Sequence, residues 1–340
     1  MPRLVANTRS LLIALIFGLG TSCRASLHER ATSTTVMGTE LQLVVRGADA
    51  SLLEEALRAV VSELQRVENL MTDWRPSELA RLNASAGTGP LEIDSELHAL
   101  LVRAQELSRV TRGAFDVTYA GVGELWDFSV GATPRVPTAS EVATKIKNVG
   151  FERLQLVAPN RAQLPAGMRI GLGGVAKGYG VDRARAVLES FGIEHALIKA
   201  GGDIALLGEK HAGAPWRVAL VDPRAPERGL ARLALRGHKA VSTSGDSERY
   251  FELDGQRYHH IIDPRSGYPA TGARSATIIC EFSERADALA TAMCVLGPVA
   301  GLAVIQELET RGERIAAFII DADGVLHASA RSAEFVSSDE

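Results

Sequence analysis

The sequence has few cysteines, few aromatic residues and no excess of positive charge. Three of its 340 residues are cysteines, 5% are aromatic, and the formal net charge is −4. So few cysteines exclude a disulfide scaffold and a cysteine-based metal site. Apart from Cys23, only Cys280 and Cys294 remain, either as a pair in an oxidising compartment or as buried free thiols. Without a run of Lys and Arg, binding to DNA or RNA is not expected.

The N-terminus has no acidic residue before Glu29, and its apolar run 11–19 is shorter than the roughly 20 residues that span a bilayer. Basic residues precede this run and small residues follow it, as in an export signal. Residues 19–23, Leu-Gly-Thr-Ser-Cys, resemble a bacterial lipoprotein signal, whose cysteine becomes the lipidated first residue; ordinary secretion, with Cys23 removed or free, is the alternative. We expect a signal peptide at 1–22, a linker at 23–34, and one domain at 35–336, facing the periplasm from a lipid anchor in the inner membrane.

Hydrophobic periodicity predicts helices and short strands in irregular alternation. The strongest helix is 51–71, where apolar residues recur every three or four positions, and a helix from Ser283 to Leu296 is ended by Gly297 and Pro298. Strands are expected at 35–46, at 216–221, at 232–235 and on both sides of the glycine pair Gly201-Gly202. The many short strands favour an α+β fold with a mixed or antiparallel sheet core and flanking helices.

The segment 170–182 contains five glycines and one lysine before a predicted helix. A strand, a glycine turn and a helix start would present free N–H groups and the positive end of the helix dipole to a phosphate, and Lys177 adds a full charge. A tight connection without a ligand is the plain alternative. The spacing Gly171-x-Gly173-x-x-Ala176 also fits a dinucleotide fingerprint, but no long strand precedes it. A P-loop is excluded because Gly178 follows the lysine.

Three further groups of residues are candidates for chemistry. Asp116 lies in an apolar segment that we expect to be a strand, so its carboxylate needs a partner, which ribose or adenine could supply. His259 and His260 should point to opposite faces of a strand, and a neutral imidazole is the commonest general base. Asp287 and Thr291 lie four apart on a helix and could form a hard-oxygen site for Mg²⁺ or Mn²⁺. Their alternative roles are a favourable charge near the helix start and a back-bonded hydroxyl.

Taken together, the motifs resemble those of the ApbE family, the FAD:protein FMN transferases. Each is weak alone, but eight in the same order are specific. They are Met37-Gly38-Thr39; Met71 with Ser77-Glu78 and Asn83; Gly113 to Asp116; Gly173 to Tyr179 with Asp182; Ala200 to Asp203; Ser244-Gly245; His260 to Arg265 with Gly267; and Asp287 to Thr291.

The resemblance implies an ApbE-like single catalytic domain that cleaves FAD and transfers FMN to a Thr or Ser hydroxyl of an acceptor protein, releasing AMP. By similarity, His260 is the base, and Mg²⁺ is held by the Gly174 carbonyl, Asp287 and Thr291. The residues similar to FAD contacts are Met37, Trp74, Ala114, Phe115, Asp116, Gly171, Lys177 and Ile262. Gly171 departs from the family, which often carries Asp there.

The resemblance also implies an acceptor: a flavin-carrying subunit of a membrane redox complex, such as a sodium-pumping NADH:quinone oxidoreductase or an Rnf-type complex. Two other functions use the same site. One is hydrolysis of FAD to FMN and AMP, with water in place of the acceptor. The other is FAD binding without chemistry by a lipoprotein that stores or delivers it.

Overall fold

A computed structural model describes residues 27–211 and 213–337 of the chain. The predicted signal peptide at 1–22 and the predicted lipidation site at Cys23 lie outside the described residues. The strands in chain order are β1 (His28–Val36), β2 (Thr39–Gly47), β3 (Leu91–Glu92), β4 (Gln155–Val157), β5 (Arg161–Gln163), β6 (His195–Ala200), β7 (Asp203–Leu207), β8 (Trp216–Asp222), β9 (Ala225–Leu235), β10 (Lys239–Gly245), β11 (Tyr250–Leu253), β12 (Gln256–His259), β13 (Ser275–Cys280), β14 (Ala316–Ile320) and β15 (Leu326–Ala328). The helices are α1 (Ala50–Met71), α2 (Glu78–Ala84), α3 (Ser95–Val110), α4 (Ala120–Gly123), α5 (Ala139–Lys145), α6 (Ala176–Ser190) and α7 (Ser283–Thr310).

Eight of these strands form one sheet in the order β1-β2-β6-β7-β10-β13-β14-β15. Every pairing in it is antiparallel, with Leu43 of β2 opposite Ile198 of β6 and Thr243 of β10 opposite Thr277 of β13. The predicted α+β fold with flanking helices is therefore confirmed, and its sheet is antiparallel.

Alternation along the strands gives the sheet two buried faces. Leu41, Leu43 and Val45 of β2 pack in one hydrophobic cluster with the apolar stripes of α1 and α6. Val44, which lies between them, points to the other face and packs in the cluster covered by the β8–β9 hairpin. The helices and the hairpin thus sandwich the sheet, and the ends of the central strands are left to build a site.

Helix α7 is long and apolar enough to cross a membrane by length and composition. It packs instead against β10, β13 and α6, and 61% of its most apolar window is buried inside the protein. Its backbone is broken at Gly297, where φ is 72° and ψ is −179°, as predicted from Gly297 and Pro298, although a further helical stretch follows the break. We therefore interpret α7 as the central helix of the core.

Two sequence predictions near the N-terminus are wrong. The strand expected at 35–46 is a hairpin, because Met37 and Gly38 both have positive φ, 51° and 70°, and form a two-residue turn. Residues 28–34, expected to belong to a linker, are most of its first strand, which pairs along its whole length with β2. The predicted linker is thus too long by at least these seven residues.

Two further expectations are corrected in the middle of the chain. No strand directly precedes the glycine segment, because β5 ends at Gln163 and the chain reaches α6 through turns and irregular backbone. Asp116 is not in a strand either, since it caps a 3-10 turn at Val117–Tyr119. Cys280 and Cys294 are both buried free thiols, so the disulfide alternative does not apply.

Candidate active site

Lys177, in the first turn of α6, lies between two buried carboxylates. Its Nζ is 3.0 Å from Oδ2 of Asp203, at the start of β7, and 3.4 Å from Oδ2 of Asp287 on α7. Both aspartate side chains are 2% exposed, and the Ser242 hydroxyl donates to Asp203 at 2.5 Å. Two carboxylates and one ammonium leave this cluster with a net negative charge, which a bound cation would neutralise.

The pKa values of Asp287 and Lys177 reflect the net negative charge of this cluster. Burial raises the pKa of Asp287 to about 7, and the neighbouring Asp203 carboxylate adds to the effect against the opposing influence of Lys177. Burial lowers the pKa of Lys177, but Asp203 and Asp287 outweigh it, so that this pKa is raised above its ordinary value. Lys177 is therefore always protonated. The positive charge around Asp287 does not fully stabilise its ionised carboxylate, so a further cation beside it would be favourable.

Close packing fixes α6 against α7 and so fixes the cluster. A Cβ on Gly178 would lie 2.3 Å from the Ser283 carbonyl oxygen, so only glycine allows the two helices to come this close. Asp182 of α6 accepts hydrogen bonds from the N–H groups of Ser283 and Glu284, at 3.0 and 2.9 Å. It thereby caps α7 from a neighbouring helix, and this places Asp287 one turn further along.

The N-terminus of α6 is occupied by a side chain of the protein. The Gly178 N–H donates to Asp287 Oδ2 at 3.1 Å, and the Ala176 N–H donates to the Leu172 carbonyl at 2.8 Å. The expectation of free N–H groups waiting for a phosphate is therefore wrong for these two donors. Asp287 is the anion at this helix end, where the dipole favours negative charge.

The predicted metal ligands lie side by side. A Cβ on Gly174 would lie 3.1 Å from the Thr291 hydroxyl oxygen and 3.5 Å from the Phe115 ring. The Thr291 hydroxyl is 3.3 Å from that of Ser244 at the end of β10, so it is not back-bonded to its own helix. Gly174 thus passes α7 beside Thr291, one helical turn from Asp287. Among the described residues no cluster of three or more His, Cys, Asp or Glu side chains could hold a metal, so a metal here depends on the predicted carbonyl, hydroxyl and carboxylate ligands.

The two adjacent histidines have different surroundings, although only His259 belongs to β12 and His260 follows its end. His259 is 4% exposed and its Nε2 is 2.7 Å from the Ala270 carbonyl, whereas the His260 side chain is 32% exposed. Burial lowers the pKa of His260 to about 4, so its imidazole is neutral at physiological pH. Nε2 of His260 lies 3.9 Å from the Glu248 carboxylate, and its buried Nδ1 has no hydrogen-bond partner within the described ranges.

Met37 and Trp74, both predicted to contact FAD, lie outside the carboxylate cluster. The Met37 N–H donates to Glu68 at 3.0 Å, and its sulfur lies against Gly180 of α6. Trp74 follows α1 in an exposed loop and is itself 69% exposed. An exposed indole is a stacking surface for a ligand that enters from solvent.

Four other predicted FAD contacts have side chains in the protein interior: Ala114, Phe115, Asp116 and Ile262. The Asp116 carboxylate accepts from the Thr118 N–H, the Thr118 hydroxyl and the Phe151 N–H, at 2.8, 2.7 and 2.9 Å. The carboxylate has the partners that we expected it to need, but they come from the chain itself and not from ribose or adenine. Ile262 packs in the aromatic cluster around Trp126. Of these four, Phe115 lies beside Gly174, with its ring 3.5 Å from the position of a Cβ there.

Glu248 lies near both the Lys177 cluster and the histidine. Lys177 pairs with both Asp287 and Asp203. A Cβ on Gly202, the residue before Asp203, would lie 3.5 Å from the Glu248 carboxylate. That carboxylate is 3.9 Å from Nε2 of His260. Asp203, Ser244 and Glu248 were not assigned a role from the sequence. The first two lie inside the motifs quoted above, and only the contacts of the three residues in the fold, with Lys177, Thr291 and His260 respectively, single them out.

A separate cavity of about 560 Å³ lies between α3, α6 and the start of α7. Its arginines have partners, since Arg103 pairs with Glu284 and Arg285 with Glu313. Lys177 and Asp287 do not line it, and neither does His260. The chemistry-bearing residues are therefore outside this cavity.

Comparison with known proteins decides the family. The sequence model of the ApbE family matches residues 37–318. The chain belongs to the ApbE family. The chain is 35% identical over 316 residues to the FAD:protein FMN transferase of Treponema pallidum, covering 87% of each chain. It is 33% identical over 261 residues to that of Vibrio cholerae, covering 76% of this chain and 78% of the relative.

Solved ApbE structures share the fold over nearly the whole chain. The crystal structure of the ApbE protein from Thermotoga maritima superposes with a TM-score of 0.84 at 32% identity, covering 92% of this chain and all of that one. The flavin transferase ApbE from Vibrio cholerae gives a TM-score of 0.79 at 30% identity, covering 91% of this chain and all of that one. This member of the ApbE family thus keeps the family fold.

Proposed function

We propose that this chain is an FAD:protein FMN transferase, which moves FMN from FAD to a Thr or Ser hydroxyl of an acceptor protein and releases AMP. The observation that carries the proposal is the pair of buried carboxylates around Lys177, with Glu248 and neutral His260 close enough to interact with its charge, all from segments far apart in the chain. Phosphoryl-type transfer needs positioning and charge neutralisation more than covalent help; the cluster offers fixed ligands for a cation, and that cation would supply the neutralisation. Two relatives at 33% and 35% identity carry this name.

Mg²⁺ fits the oxygen ligands beside Lys177, as would Mn²⁺. The Gly174 carbonyl, the Asp287 carboxylate and the Thr291 hydroxyl would hold it, with FAD oxygens and water as the remaining ligands, the usual pattern for this ion. The support is the negative charge of the cluster and the raised pKa of Asp287. When bound, the ion would neutralise charge on the diphosphate of FAD.

His260 is the proposed base. The acceptor hydroxyl oxygen forms a bond to the phosphorus of the FMN half, the bond from that phosphorus to the bridging oxygen breaks, and AMP leaves with that oxygen. The hydroxyl proton passes to His260, whose neutral imidazole accepts it. Glu248, 3.9 Å away, would favour the imidazolium that forms.

Labelling of an acceptor tests the proposal. The purified chain, FAD and Mg²⁺ are mixed with an acceptor domain that carries the target Thr or with its Thr→Ala variant. A fluorescent band on a denaturing gel, only with the Thr domain and with one AMP released per flavin bound, is expected. AMP released as fast without acceptor would favour FAD hydrolysis, and FAD binding without AMP would favour a storage or delivery protein.

The location and the acceptor are also proposals. The N-terminal pattern supports export and a lipid anchor at Cys23 in the inner membrane facing the periplasm. The acceptor would then be a flavin subunit of a membrane redox complex, of the sodium-pumping NADH:quinone oxidoreductase or Rnf type. If the anchor exists, Cys23→Ser moves the protein from the membrane fraction to the soluble fraction; an unchanged distribution contradicts it.

A further inference from the structure

The ring of Tyr119 fills the space beside two glycines of the segment that leads into α6. A Cβ on Gly171 would lie 3.5 Å from Cε1 and 3.6 Å from the hydroxyl of Tyr119, and one on Gly173 would lie 3.4 Å from the same hydroxyl. On its other edge the ring is 3.2 Å from the position of a Cβ on Gly123. The ring is thus held between backbone segments, and its hydroxyl ends beside Gly173, next to the proposed metal ligand Gly174.

The backbone around Tyr119 is itself fixed. Tyr119 ends the 3-10 turn that Asp116 caps, and the Gly171 N–H donates to the Val117 carbonyl at 2.8 Å. The buried hydrogen bonds of Asp116 therefore act on the position of the Tyr119 ring. This gives Asp116 a role in building the site although its own carboxylate does not face it.

The Tyr119 hydroxyl has no hydrogen-bond partner among residues 27–211 and 213–337, and the residue is half-buried. Burial raises the pKa of this phenol, and the charges that act on it are those of Asp73, Lys177, Arg249 and Asp287. The hydroxyl is therefore protonated, lies in the electrostatic field of the site, and finds no acceptor among the residues that the structure describes. A half-buried donor in such a position gains most when a ligand oxygen accepts from it.

We propose that Tyr119 is a binding residue for the dinucleotide, and that its hydroxyl donates a hydrogen bond to an oxygen of the diphosphate. The diphosphate is the group expected here because the hydroxyl lies beside Gly173, the residue before the proposed metal ligand Gly174, and a charged oxygen is the stronger acceptor. Tyr119 thus supplies a polar group at the place where Gly171 has no side chain. The identity of the ligand rests on the proposed function.

Affinity measurements on Tyr119→Phe test this, because phenylalanine keeps the ring between the glycines and removes only the donor. Dissociation constants for FAD are measured by flavin fluorescence with Mg²⁺ present, and those for ADP, which shares the diphosphate, by competition. The variant is expected to bind FAD and ADP about 10- to 100-fold more weakly, the usual range for a hydrogen bond to a charged group. Tyr250→Phe, which alters an exposed phenol on β11, should bind both like the wild type.

Each outcome separates this inference from the proposed function. An unchanged FAD affinity in Tyr119→Phe, with the unfolding temperature of the wild type, overturns the inference. Weaker FAD binding with unchanged ADP binding overturns the assignment to the diphosphate. Wild-type protein that binds FAD but never labels an acceptor contradicts the transfer reaction, and the Tyr119 result would then still report on a dinucleotide site.

Discussion

Replacing Asp287 with Asn tests two effects of its buried charge: the loss of stability that the charge causes and its role as a metal ligand. Asn keeps the size of the side chain and an oxygen that can accept from the Gly178 N–H, but it removes one of the two carboxylates around Lys177. Without metal, the variant should be more stable than the wild type at pH 8. With metal, it should lose the ligand on which metal-dependent turnover depends.

The magnitude follows from the pKa of Asp287. A rise from 3.8 to about 7 corresponds to at most about 4 kcal/mol of stability lost when the carboxyl ionises in the folded state. The sign follows from protonation: below about pH 4 the carboxyl is protonated in both folded and unfolded protein, and the cost develops as pH rises towards 7. For 340 residues, 4 kcal/mol is about 6 °C in unfolding temperature.

The assay is thermal unfolding of wild type and Asp287→Asn at pH 4 and pH 8, each with a chelator or with excess Mg²⁺. We expect equal unfolding temperatures at pH 4, a higher one for the variant at pH 8 with chelator, and a rise on adding Mg²⁺ in the wild type alone. Asp323→Asn, which changes an exposed loop carboxylate, should match the wild type throughout. A variant less stable than the wild type at pH 8 with chelator, or one that Mg²⁺ stabilises equally, would refute the charge argument.

Three further changes test other parts of the site. His260→Ala should reduce acceptor labelling by about 10²- to 10⁴-fold while FAD still binds. With saturating Mg²⁺, which keeps Asp287 ionised, the wild-type rate should fall as pH drops through about 4, and a half-maximal rate near pH 6.5 would contradict the lowered pKa of His260. Asp182→Ala removes the cap of α7 and should cost about 0.5–2 kcal/mol in urea unfolding at pH 5, where the carboxyl, whose pKa burial raises to about 6, is mostly protonated; no loss would mean that the cap is dispensable. Gly178→Ala pushes a Cβ to 2.3 Å from the Ser283 oxygen and should destabilise by about 1–3 kcal/mol, whereas Gly229→Ala, in open space, should not; equal effects would refute close packing as the cause.

The secondary-structure features that depend on nearby residues could be predicted from the sequence. The apolar stripe of α1 and the Gly-Pro break in α7 follow from spacing and backbone chemistry, and both were found as expected. The turn at Met37 was missed because a methionine with φ of 51° is rare, and Gly38 alone did not show that the chain reverses there.

The site was predictable as a set of residues but not as an arrangement. Lys177 and Asp287 could be singled out, yet their contact joins positions 110 residues apart, so Asp287 could not be foreseen as the anion at the start of α6. Asp116 was expected to need a ligand because its partners, Thr118 and Phe151, are ordinary backbone and hydroxyl donors that carry no motif. Polar satisfaction depends on the tertiary fold, and spacing along the chain does not encode it.

A crystal structure of His260→Ala with FAD and Mg²⁺ tests the central claim most directly, because the variant should leave FAD intact. The account predicts the diphosphate between the Lys177–Asp287 cluster and position 260, the ion on Asp287 and Thr291, and the Tyr119 hydroxyl within hydrogen-bond distance of the diphosphate. FAD bound instead in the cavity beside Arg103 and Phe282, or an ion away from Asp287, would contradict it.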